Sequence, residues 1–86
     1  MLFRSTEAVR LAEEASRLTR SRNAVVLDTL AVSYFSAGRV DEAVRTGRAA
    51  LDLAVADNET AMADRLRLRL QRYEAARGRP GSGAVR

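Results

Sequence analysis

Cysteine, histidine, lysine and tryptophan are all absent from this 86-residue chain, and proline occurs once. Without cysteine there is no disulfide and no thiol nucleophile; without histidine there is no imidazole acid–base chemistry and almost no route to a zinc site. These absences leave little for an enzyme to work with, and neither catalysis nor a metal or cofactor is expected. Aromatic residues are only 5% of the chain, which argues against an all-β design, and the length allows one small domain with a thin core. No uninterrupted apolar run exceeds four residues (24–27 and 53–56), far short of the ~20 that a spanning helix needs. The first ten residues also lack the apolar centre of a signal peptide. The expected setting is the cytoplasm, as a free chain or as the soluble part of a larger protein.

What the chain does have is helical periodicity, in four segments. The spacing predicts helices over about 6–19, 24–37, 41–56 and 58–77, making one domain over 1–79 with a flexible tail at 80–86. In the first, Ala8, Leu11, Ala12, Ala15 and Leu18 recur at intervals of three and four, so that stripe should face a partner, with Ser5 or Thr6 as cap. Asn23 should cap the second helix, whose stripe is Leu27, Leu30, Ala31 and Tyr34, with Val26 and Phe35 on the flanks. Gly38 should end it, because glycine adopts the left-handed C′ conformation without a Cβ penalty. Ala43, Val44, Gly47, Ala50, Leu51 and Ala54 form the stripe of the third helix. Gly47 costs about 1 kcal/mol there relative to alanine, a sign of close approach by a neighbouring helix. Asp57 or Asn58 should cap the fourth helix, which carries Met62, Leu66, Leu70 and Tyr73 inward and ends at Gly78 and Pro80.

The chain also repeats itself. Glu7-Ala8-Val9-Arg10 returns as Glu42-Ala43-Val44-Arg45, and a weaker echo sets Leu30 over Leu66 and Tyr34 over Leu70. Helices one and three are therefore one type, and two and four another. The stretch LDTLAVSYFSAGRVDEAVRTGRAALDLA resembles a tetratricopeptide repeat, the 34-residue helix–turn–helix unit of α-solenoids. Leu30, Ala31 and Tyr34 match the first-helix signature, Gly38 the turn, and Ala43 and Ala50 the small residues where paired helices cross. Leu27 stands where the family usually has tryptophan or another large apolar residue. Gly47 and Val55 depart from the pattern, at positions usually held by an aromatic or alanine and by proline. The run DTLAVSYFSAGRVDEAV is similar to repeats near the C-terminal end of longer bacterial proteins of this family, some of them membrane-tethered.

The resemblance implies an all-α stack of antiparallel helical hairpins, about two repeats long, that binds a peptide or helical partner in a groove and performs no chemistry. On that pattern Val25, Asp28, Val32 and Phe35, with Ser36 beside them, line the groove from the second helix. The repeat shift adds Ala61, Asp64, Leu68, Gln71 and Arg72 from the fourth. The family's clamp for a terminal carboxylate uses lysine and asparagine; Asp28 and Val32 stand at the matching positions, so that clamp is absent. Two aspartates beside Val32, Phe35 and Leu68 would suit an amphipathic or basic segment. The plain alternative is that Phe35 and Leu68 simply pack against neighbours. The first helix has no hairpin partner of its own, so one flank should stay exposed unless another chain covers it, and self-association or marginal stability is expected.

Charge is uneven along the chain. Residues 1–64 hold eight arginines and ten acids, and residues 65–86 hold seven arginines and Glu74 alone. Arg65, Arg69 and Arg72 fall on one face of the fourth helix. The alternative function is therefore a small anion-binding protein that meets nucleic acid or acidic lipid through this face. Only Tyr73 is near enough to stack on a base, so nucleic acid is the less favoured partner. The simpler reading is a solvated outer face whose arginine stems shield apolar surface. No catalytic constellation stands out: Glu13 and Glu14 diverge by about 100° on a helix, and Ser33 and Ser36 have no base nearby in sequence.

Overall fold

A computed structural model describes residues 2–18 and 22–78. They form the helices α1 (Leu2–Leu18), α2 (Ala24–Ser36), α3 (Val40–Ala56) and α4 (Thr60–Gly78), with no strand among the described residues. The fold is all-α. Each helix packs on its neighbour in sequence, α1 on α2, α2 on α3 and α3 on α4. That order produces an open stack of helical hairpins rather than a closed bundle.

Two turns set the geometry, and they are built alike. After α2, Gly38 takes φ 83°, its N–H donates to Phe35 O at 3.0 Å, and Arg39 N–H donates to Tyr34 O at 2.8 Å. After α3, Asn58 takes φ 59°, donates to Val55 O at 3.1 Å, and Glu59 N–H donates to Ala54 O at 2.8 Å. Both are Schellman closures, in which one left-handed residue lets two amides satisfy carbonyls at the helix end. Asn58 therefore closes α3 and does not cap α4, which begins at Thr60. Asparagine can do this because its short polar side chain tolerates the left-handed region. Asn23 caps α2 as expected, its Oδ1 accepting from Val25 N at 2.9 Å and Val26 N at 3.1 Å.

The core is built largely from small residues. Ala31, Ala43, Val44, Ala50 and Ala54 are fully buried, and Leu66 is the largest side chain with almost no exposure. Gly47 is where α4 comes closest to α3: a Cβ built on it would lie 3.0 Å from Leu70 Cδ2 and 3.5 Å from Tyr73 Cε2. The stripes read for α2 and α4 are the buried ones, and that of α3 is buried apart from Leu51, which is half-buried.

α1 departs from expectation in two ways. It begins at Leu2, so Ser5 and Thr6 lie inside the helix and do not cap it. Its buried residues are Val9, Ala12 and Ser16, while Leu11 and Leu18 are 68% and 76% exposed. Of the expected stripe only Ala12 is fully enclosed. The expected end of the first helix at Thr19 and the tail at 80–86 lie outside the described residues.

Candidate binding groove

α2 and α4 flank α3 and face each other across an open cleft of about 360 Å³, lined by Val32, Phe35 and Ser36 from α2 and by Arg69, Arg72 and Tyr73 from α4. Helical periodicity brings these together: Val32, Phe35 and Ser36 recur at three- and four-residue intervals, as do Arg69, Arg72 and Tyr73. Phe35 and Tyr73 form the apolar floor, their ring centroids 4.8 Å apart and tilted by 35°, a favourable offset arrangement.

Asp28 reaches the cleft through an ion pair. Arg69 donates to its Oδ1 at 2.9 Å, and the Asp28 side chain is only 17% exposed. Close by, the Tyr73 hydroxyl is shut off from solvent, beside Arg69, and donates to no acceptor among the described residues. Burial pushes its pKa up and the Asp28 charge pushes it further, with Arg69 and Arg72 opposing. The phenol is therefore neutral. Arg72 is exposed and makes no ion pair among the described residues. The cleft thus offers one internally neutralised pair and one cation beside an apolar floor.

Not every expected residue gathers there. Val32, Phe35 and Arg72 line the cleft, and Asp28 borders it. Val25 lies elsewhere, 58% exposed beside a small cavity near Asn23 and Asp57. Asp64 pairs with Arg67 at 3.0 Å, and Arg67 lines a separate cavity with Ala54, Val55 and Asn58. Leu68 and Gln71 are exposed and do not line the cleft. Of the expected basic face, Arg69 is committed to Asp28, and Arg65 donates to the Met62 sulfur at 3.6 Å. Tyr73 is the member that sequence reasoning missed. Its place on the α4 stripe marked it as core, and nothing in the pattern showed that its ring would meet Phe35 at the cleft.

A larger open groove of about 440 Å³ lies on another side, between α2 and α3 with Ser16 of α1 at its edge. Its walls hold Leu27, Leu30, Thr46, Ala49 and Leu53, and its charged members Arg45 and Asp52 are of opposite sign. Its size exceeds that of the α2–α4 cleft, but no aromatic residue lines it.

A second polar cluster joins α1 to α2. The Tyr34 hydroxyl donates to Glu13 Oε2 at 2.7 Å, and the Arg39 guanidinium lies 4.6 Å above the Tyr34 ring. Arg39 also grips both oxygens of Glu42, at 2.6 and 2.7 Å, which lowers the Glu42 pKa. The Tyr34 pKa is pushed up to about 12, first by burial and then by the bond to Glu13 and the charges of Glu13 and Glu42. Every group in the cluster is satisfied, so it ties helices together and leaves nothing to offer a ligand.

No helix among the described residues is long and apolar enough to cross a membrane. No protein-family model, curated protein or solved structure matches the chain.

Proposed function

We propose that this chain is a non-catalytic interaction module of the tetratricopeptide type, which holds a partner segment in the cleft between α2 and α4. The observation that carries this reading is the apolar floor that Phe35 and Tyr73 form in a cleft that also presents the exposed cation Arg72. The ligand chemistry follows from the lining. An apolar side chain fits against Val32 and Phe35, and a neighbouring Asp or Glu, or a main-chain carbonyl, accepts from Arg72. Asp28 is already neutralised by Arg69, so the net character of the cleft favours an acidic amphipathic segment over a basic one. At about 360 Å³ the cleft holds one or two side chains, the scale of peptide recognition.

Selection from a random peptide display library on the immobilised chain tests this. The expected winners combine a large apolar residue with Asp or Glu, and they lose binding to Arg72→Glu. Winners rich in Lys and Arg, or winners indifferent to Arg72→Glu, would contradict the reading. The anion-surface alternative predicts instead that nucleic acid or acidic vesicles bind with steep salt dependence and that Arg65, Arg69 and Arg72 contribute together. The commitment of Arg69 to Asp28 weighs against it.

A further inference from the structure

In α3, the face carrying Ala43, Thr46, Ala50 and Leu53 is turned to α2: Ala43 and Ala50 are fully buried, and Thr46 and Leu53 line a groove with Leu27 and Leu30 of α2. The thirty-five-residue repeat places Ala8, Leu11, Ala15 and Leu18 at the matching positions of α1. There, no described helix covers the face. Ala8, Leu11 and Leu18 are exposed, and the two leucines are the most exposed large apolar side chains among the described residues. α1 thus repeats the sequence of a helix-packing seam without a helix on it.

The charges beside this seam identify what sits there. Glu7, Arg10, Glu14 and Arg17 all lie along one flank of it, and Arg17 and Glu14 are linked only by an exposed pair within the helix. Two copies of a helix related by a two-fold axis perpendicular to the helix run antiparallel and bring the same flank of each together. With the axis beside Ala12, Glu7 faces Arg17 of the other copy and Arg10 faces Glu14, since both pairs stand equally far from Ala12 on either side. In the same register Leu11 drops between Leu11 and Ala15 of the second copy, and Leu18 packs toward Ala8. One register therefore satisfies the apolar stripe and four charge pairs at once.

We infer that α1 is a self-complementary dimer seam, occupied by α1 of a second copy of this chain in antiparallel orientation. This does not depend on what the α2–α4 cleft binds.

Sedimentation of the full chain and of two charge-swapped variants tests it. In Glu7→Arg/Glu14→Arg the flank carries four positive charges, and in Arg10→Glu/Arg17→Glu it carries four negative ones. All these positions are exposed, so helix content measured by circular dichroism should stay unchanged. The wild-type chain is expected to sediment at twice its 9.4 kDa mass at tens of micromolar. Each variant alone should be a monomer, and an equimolar mixture of the two should restore the dimer. A monomeric or open-ended wild type would overturn the proposal, as would variants that dimerise as well as the wild type. Failure of the mixture to re-form the dimer would overturn the antiparallel register.

Discussion

Arg69 on α4 and Asp28 on α2, forty-one residues apart, meet at 2.9 Å across a helix that separates their own two in the chain. The pair braces the cleft and cancels a charge that the sequence alone offered to a ligand. Asp28→Asn should therefore release Arg69 toward the cleft and tighten binding of a selected acidic peptide several-fold. Because Arg69 remains partly solvated at 40% exposure, the stability loss should stay near 1 kcal/mol. Calorimetric titration and thermal unfolding of the variant check both.

Gly47 should tolerate only the smallest enlargement. Gly47→Ala gains about 1 kcal/mol of helix propensity and loses a similar amount because the tip of Leu70 must move, so its denaturation midpoint should stay close to wild type. Gly47→Leu forces α3 and α4 apart and should cost about 1–3 kcal/mol or more. Urea unfolding of the two variants distinguishes close packing from a mere tolerance of glycine.

The twin turns make opposite predictions. Gly38→Ala places a Cβ in the left-handed region and should destabilise by about 1–2 kcal/mol. Asn58→Gly relieves the same strain and should raise the melting temperature by a few degrees, since ~1 kcal/mol moves a domain of this size by ~4–8 °C. Equal effects at both positions would refute the equivalence of the turns.

Alkaline pH should loosen the junction of α1 and α2. The Tyr34 pKa is about 12 in the fold, against about 10 in an unfolded chain. Between those values the native state holds a proton that the unfolded state has lost. Stability is thus fully present below pH 10 and falls as pH rises toward 12. Denaturation at stepped pH, read beside phenolate absorbance, should show this loss, and Tyr34→Phe should flatten most of it. A smaller slope should survive from Tyr73, whose pKa is also raised.

Much of this fold is legible in the chain because local signals agree with one another. Asn23, Gly38 and the inward residues of α2 and α4 each have one physical meaning, and α3 falls short only at Leu51. The misreadings fall at the ends of the stack. α1 has two apolar faces, and periodicity picks out Ala8, Leu11, Ala12, Ala15 and Leu18, of which only Ala12 is buried, beside Val9 and Ser16. α4 fails for a related reason. Transferring the α2 positions by the repeat shift selects Ala61, Asp64, Leu68, Gln71 and Arg72, of which only Arg72 lines the cleft, whereas Arg69 and Tyr73 join it from α4. Internal repetition reports which residue type recurs; it does not report which neighbour is present.

The most direct test is an amide chemical-shift map of the chain titrated with a display-selected acidic peptide. Shifts concentrated at residues 28–36 and 69–73, lost in Arg72→Glu, are the predicted result. Shifts confined to α1, to the groove around Leu27 and Leu53, or to Asp64 and Gln71 would contradict the assignment of the α2–α4 cleft as the place where a partner is held.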